Sequence, residues 1–300
     1  MNRFDVIIDT FESENHKIIH GDVLTSIINI DSESVDLIFA DPPYNIGKNF
    51  DGLKENWPEK EFLEWCYKWL EECHRVLKKD GTFYLMNSTE NMPFLDIWCR
   101  NKFYVKSRIV WSYDSSGVQA KSYYGSMYEP IIMLTKSEKN YTFNNEDIMV
   151  EAKTGAKRQL IDYRKNPPQP YNTKKVPGNV WSFSRVRFKM DEYENHPTQK
   201  PEALLERIIK ASSNAEDIVL DPFAGSFTTG ATAKRLGRKS ISIEINEDYV
   251  KMGIRRLEVP SKYSNDELLK DKKRKTKNLS KKVREKDKSI ERSPAQKFLI

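Results

Sequence analysis

Apolar residues along this chain fall into short unbroken runs, separated by longer stretches in which they recur every third or fourth position. The runs at 18–20, 35–40, 82–86, 107–111 and 130–134 have the length and the β-branched or aromatic character that predict buried strands. Between the second and third, Phe62, Cys66, Trp69, Cys73 and Val76 form one stripe, with Glu64, Lys68, Glu71 and Arg75 off it. That spacing predicts a helix over 59–78, ended by Asp80-Gly81. A second block of the same kind follows His196: a helix over 201–211 opened by Pro201, a strand over 217–220, a helix over 228–236 stopped by Gly237, and a strand over 240–245.

Strands alternating with helices imply an α/β fold whose mostly parallel sheet is covered on both faces. The stretch 144–195 lacks this rhythm and carries Pro167-Pro168, Pro170 and Pro177-Gly178, so it reads as an inserted lobe of turns and short strands. From 261 onward the chain turns charged and aromatic-poor, which predicts a frayed helix or disorder. The expected organisation is therefore 1–143, the insertion 144–195, 196–260, and a basic tail 261–300. No internal repeat is evident.

Three hundred residues suffice for a substantial core. No run approaches the ~18 consecutive apolar residues of a membrane span, and Met1-Asn2-Arg3-Phe4-Asp5 lacks an export signal, so cytoplasmic, nucleoid-associated residence is expected. Cys66, Cys73 and Cys99 form no CxxC pair; they are read as reduced structural thiols, and no metal site is expected. Charge changes the picture more. Between 152 and 190 ten lysines and arginines face the single acid Asp162, and from Lys270 onward thirteen face four acids, although the whole chain is only +6. Positive charge concentrated in two places suits a polyanion such as nucleic acid; a solvated face explains the middle segment equally well, and a disordered tail is the better reading of the second.

Open parallel sheets bind ligands beyond the carboxyl ends of their strands. Two such ends carry chemistry. In Asp221-Pro222-Phe223-Ala224-Gly225, a strand delivers a carboxylate, then a tight turn, then a helix start, and one strand later Glu244 stands where a carboxylate commonly grips ribose hydroxyls. In Asp41-Pro42-Pro43-Tyr44, the prolines stiffen the backbone. Asp41 and the Pro42 carbonyl can then accept hydrogen bonds from one NH₂ group while Tyr44 offers a ring for stacking.

DPPY, followed much later by HPTQKP and DPFAGSFTTG, resembles the β group of amino-DNA methyltransferases, and the likeness extends from Ile18 to about Val259. The resemblance implies a Rossmann-like S-adenosylmethionine-dependent fold with permuted motif order, a target-recognition insertion, and methylation of the amino group of a flipped adenine in double-stranded DNA. It implies catalytic roles for Asp41, Pro42 and Tyr44, with Pro43 as rigid spacer. Cofactor contacts are implied for Asp22, Thr198, Lys200, Asp221, Phe223, Gly225 and Glu244. Lys153, Arg158, Arg164, Lys174, Lys175, Arg185 and Arg187 are the expected DNA-binding residues, and the palindrome ATGCAT the expected word. One departure stands out: Phe227 occupies the last glycine of the family's FxGxG turn, where it is expected to crowd the cofactor or force a different backbone angle.

Plainer explanations accompany several of these residues. Asp41 suits an ordinary turn, Thr198 and Lys200 suit capping ahead of Pro201, and His196 reads as a structural histidine. Trp181, Phe183 and Tyr171 read as anchors of the lobe. A cytosine amine, RNA or a protein amide would present a similar NH₂ group, and a catalytically inactive DNA-binding protein is a third class. Monomer and homodimer are equally compatible with the sequence, and no obligate protein partner is implied.

Overall fold

The computed structural model describes residues 7–47, 49–50, 53–54, 56–114, 121–152 and 160–269. Its centre is a nine-stranded sheet of β1 (Ile7–Glu12), β2 (His16–Gly21), β3 (Val35–Ala40), β4 (Leu77–Met86), β5 (Tyr104–Ser112), β6 (Tyr128–Thr135), β7 (Val180–Ser182), β8 (Ile218–Asp221) and β9 (Lys239–Glu244). The spatial order is β1-β2-β9-β8-β3-β4-β6-β5-β7. Every neighbouring pair from β2 to β4 is parallel, as is β5 with β7, whereas β1 and β6 run against their neighbours.

Alternation along β3 shows how the sheet is covered. Ile38 and Ala40 face one cluster, built with Phe62, Cys66, Trp69 and Cys73 of α2 (Glu59–Val76) and with α3 (Met92–Cys99). Leu37 and Phe39 face the opposite cluster, with Leu204, Leu205, Ile208 and Ile209 of α4 (Glu202–Ser212) and Ala233 of α5 (Thr228–Arg235). The three cysteines are buried, free thiols on the face covered by α2 and α3. Among the described residues no helix is long and apolar enough to cross a membrane.

One expectation is corrected here. Asp80-Gly81 does not end the helix: α2 stops at Val76, Leu77 is already extended, and β4 runs straight through both residues. Gly81 is needed inside the strand, because a Cβ there would lie 2.6 Å from Leu77 and 3.0 Å from the Asp36 carbonyl. Past 260 the described chain stays against the body. Tyr263 packs on Phe11 with centroids 5.8 Å apart, Lys262 pairs with Asp9, and Leu268 joins the same cluster; the tail beyond 269 lies outside the described residues. In the 144–195 stretch, two short ladders (150–151 with 174–175, and 161–162 with 169–170) precede β7, which extends the main sheet. The lobe is thus joined to the body by a strand, with Trp181 and Phe183 packed into the core.

Phe227 keeps the left-handed backbone angle that glycine favours (φ 58°), and its ring is fully buried away from the crevice described below. It packs with Phe11, Ile18 and Val250 of the cluster under α6 (Glu247–Leu257). Space for it comes from Gly253 on α6, where a Cβ would stand 2.3 Å from the ring. An alanine in an open helix gains about 1 kcal/mol over glycine. Here overpacking dominates, so Gly253→Ala is expected to lose about 1–3 kcal/mol, read as a lower urea midpoint.

Candidate active site

The chain leaves β3 toward β4 on one side and β8 toward β9 on the other, so a crevice opens where these central strands end. It holds a cavity of about 310 Å³. Asp41 follows β3, Asp221 ends β8, Glu244 ends β9, and Asp22 follows β2, so all four carboxylates line the same cavity.

On the Asp221 side the acids organise backbone. Glu244 accepts from the Gly225 N–H (2.7 Å) and the Asn246 N–H (2.8 Å), tying the turn after β8 to the start of α6. Asp221 accepts from the Phe223 N–H (3.0 Å) and the Thr229 hydroxyl (2.5 Å). Burial above all, with Asp41 and Glu244 nearby, pushes Asp221 up to about 7 despite those bonds. Asp22 caps the short helix α1 (Val23–Ile27) through the Leu24 N–H at 2.9 Å, and burial raises it and Glu244 as well. Phe223 stands edge-on to Trp69 (4.9 Å) as an apolar wall. Gly225 is required twice over: its φ is +47°, and a Cβ would lie 2.9 Å from His196 Nε2. His196 itself packs against Tyr249 (4.6 Å), so it serves as wall. Thr198 lines the same cavity.

On the Asp41 side one buried ammonium governs the geometry. Lys200 Nζ lies 2.7 Å from Asp41 Oδ2 and 3.5 Å from Glu129 Oε2, with its side chain only 9 % exposed. Tyr44 donates its hydroxyl to Asp41 Oδ1 at 2.6 Å, with Glu129 Oε2 as a second acceptor at 3.1 Å. Asn91, at the start of α3, donates to the Tyr44 carbonyl (2.7 Å) and pins the loop. Pro42 is buried, whereas Pro43 faces outward. Burial, then Glu129, raise Asp41 against the pull of Lys200. Burial opposes ionisation of Glu129 too, yet Lys200, Tyr44 and Arg185 more than offset it and hold that carboxyl below its usual range. Burial works against the charge of Lys200 as well, but Asp41 and Glu129 raise it, so it stays protonated.

Lys200, expected beside a cofactor carboxylate, thus has Asp41 as its first partner. Glu129 was not anticipated at all. It heads β6, and because β6 runs antiparallel to β4 its first residues arrive at the edge where the parallel strands end. An acid directly ahead of the run Pro130-Ile131-Ile132-Met133-Leu134 is visible in the sequence; the strand's direction is not.

The expected DNA-binding residues separate. Lys174 and Lys175 are exposed on the 174–175 strand, and Arg187 is exposed beyond β7. Arg164 is exposed but forked onto Asp162 (2.8 and 3.0 Å), so its guanidinium is already engaged. Arg185 sits over the Tyr113 ring (4.9 Å) and lines the cavity. Lys153 and Arg158 lie outside the described residues.

The crevice at the switch point thus brings a DPPY turn on one strand beside a carboxylate-clamped glycine turn on the next. The chain belongs to the DNA methylase family, whose sequence model matches residues 35–255. It is 70 % identical to the DNA adenine methyltransferase YhdJ of Escherichia coli K12 over 91 % of this chain and 93 % of that protein. It is 38 % identical to the type II methyltransferase M.HpaI of Haemophilus parainfluenzae, over 81 % and 74 % of the two chains. Among solved structures, the M1.HpyAVI–SAM complex shares 28 % identity at a TM-score of 0.54, covering 81 % of this chain and all of that one. The cytosine-N4-specific PvuII methyltransferase shares the fold at a TM-score of 0.65 and 18 % identity, over 90 % and 96 % of the chains.

Asp22, Asp221 and Glu244 in this apolar-walled cavity fit the expected S-adenosylmethionine, which combines ribose hydroxyls with a net positive charge. A cation favours the ionised form of Asp221, whose carboxyl otherwise titrates near 7. Affinity for S-adenosylmethionine should therefore weaken as pH falls through that value, by up to about tenfold between about pH 8 and pH 6. Calorimetry in two buffers of different ionisation heat should show proton release on binding near neutrality.

Proposed function

We propose that this chain is a site-specific methyltransferase that moves a methyl group from S-adenosylmethionine to the exocyclic amino nitrogen of adenine in double-stranded DNA. The observation that carries the reading is the cluster of Asp41 and Tyr44 held by Lys200 beside the carboxylate-lined cavity. The 70 % identity to a DNA adenine methyltransferase supports adenine as acceptor.

When bound, the cofactor supplies a sulfonium methyl group. Asp22, Asp221 and Glu244 suit its nucleoside and charge, Phe223 its apolar face, and Thr198 its amino-acid end. Adenine's amino lone pair is delocalised into the ring and is a poor nucleophile. Hydrogen bonds from the NH₂ to the Asp41 carboxylate and the Pro42 carbonyl favour a pyramidal nitrogen whose lone pair points at the methyl carbon. The bound cofactor would give its methyl to that lone pair and keep the S–C electrons on sulfur, and Asp41 is the acceptor within reach of the amino proton that leaves. The Asp41 side chain is only 17 % exposed, so a base stacked in a duplex does not reach it. Flipping costs a few kcal/mol, which stacking on Tyr44 partly offsets.

Of the expected DNA-binding residues, the exposed Lys174, Lys175 and Arg187 suit phosphate contact. Replacing Lys174 or Lys175 by alanine is expected to make the slope of log affinity against log salt shallower by about 0.9 per residue, measured by fluorescence anisotropy on duplex DNA. The activity itself is tested by single-molecule sequencing of plasmid DNA incubated with protein and S-adenosylmethionine, with Asp41→Ala in parallel. N6-methyladenine within one short palindrome, ATGCAT being the expected word, and none with the variant, is the expected outcome. Methyl groups on cytosine instead would move the acceptor assignment to its N4 amine.

A further inference from the structure

Asp41 serves two donors already. Oδ1 takes the Tyr44 hydroxyl and Oδ2 the Lys200 ammonium. The amino group of a target base must compete with both, because each donor bound to a carboxylate withdraws charge that a further hydrogen bond would use. The same two donors have another acceptor within reach. Glu129 Oε2 stands 3.1 Å from the Tyr44 hydroxyl and 3.5 Å from Lys200 Nζ, so a turn of the phenolic O–H and a small swing of the ammonium exchange one carboxylate for the other.

Glu129 is equipped to receive them. Its side chain is 15 % exposed, and every element around it supplies a partner. Tyr44 comes from the loop after β3 and Lys200 from the segment before α4, while Asp41 on the same loop faces Glu129 as a like charge. Tyr113 follows β5, with its hydroxyl 3.4 Å from Oε1, and Arg185 follows β7, over the Tyr113 ring. Against burial, the surrounding cations settle negative charge more firmly on Glu129 than on Asp41.

We propose that Glu129 is a positioning residue of the methyl transfer: it draws the Tyr44 hydroxyl and the Lys200 ammonium off Asp41 as the target amino group arrives. Asp41 is then free to accept the amino hydrogen, and the Tyr44 ring is free to lie under the base. Lys200 keeps a carboxylate partner throughout, passing from Asp41 toward Glu129, while Asp41 takes the amino N–H in place of the donors it gives up. The proposal rests on the reading of this chain as an adenine methyltransferase.

The test uses Glu129→Gln, Tyr44→Phe and the double variant on a duplex that the wild-type protein methylates. Steady-state kinetics are combined with calorimetric S-adenosylmethionine binding and with the emission of 2-aminopurine at the target position. Glu129→Gln should lower kcat about 10²-fold, with cofactor Kd and DNA KM within about threefold and the 2-aminopurine signal retained. The double variant should fall no more than about threefold below the worse single one, because both residues act through one set of hydrogen bonds.

A kcat within about threefold of wild type overturns the proposal, as do single effects that multiply in the double variant. Loss of cofactor binding together with kcat also overturns it, since that marks a residue that only supports the fold. Should Glu129→Gln fail to fold, Glu129→Asp keeps the charge but withdraws it by one methylene. A fall in kcat at steady KM then supports the handover, and an unchanged kcat or a lost cofactor site sinks it. A wild-type protein that leaves DNA adenine unmethylated removes the underlying reading, a result distinct from any of these.

Discussion

Burying the Lys200 ammonium is the constraint on which the site depends. A charge taken out of water costs several kcal/mol unless it is paired, and here Asp41 and Glu129 pair it. The three residues lie far apart in sequence: one after a parallel strand, one at the head of an antiparallel strand, one in the segment before α4. They meet only if β6 enters the sheet against its neighbours, so that its first residues, Glu129 among them, lie at the ligand edge. Sheet topology and the charge balance of the crevice are one requirement seen at two scales.

The same crevice concentrates acids that hold backbone in place. Glu244 and Asp221 clamp the turns with carboxylate oxygens that still have lone-pair directions to offer; burial raises both, and Asp221, pushed up to about 7, gains most in charge when a cation arrives. Stability and binding therefore compete: a site that would be more comfortable with fewer charges keeps them for its ligand.

Much of this was legible in the sequence, for particular reasons. The central strands announce themselves as apolar runs, α2 as a stripe, and Asp41, Asp221 and Glu244 as acids at strand ends. β1 was missed because an antiparallel edge strand has no continuous apolar run, and α1 because five residues are too few to show a period. α6 has a buried face of Tyr249, Val250, Ile254 and Leu257, but charges and Gly253 break up the pattern. Gly81 reads as a helix stop because a turn glycine and a close-approach glycine look alike along the chain. Glu129 could not be assigned because its position depends on strand direction, which local pattern does not encode. The pairing of Lys200 with Asp41 is likewise a product of topology.

Phe227 and Gly253 illustrate a different kind of dependence, one that concerns history. The ring on the turn fills the space that the missing side chain on α6 leaves. Converting the turn to end in glycine would open a void beneath the helix, and enlarging position 253 first would collide with the ring. Each single step is downhill in stability, so the two positions form an epistatic pair: a lineage crosses from one arrangement to the other by compensated change rather than by independent drift. Homologues of this chain should accordingly vary at these two positions together.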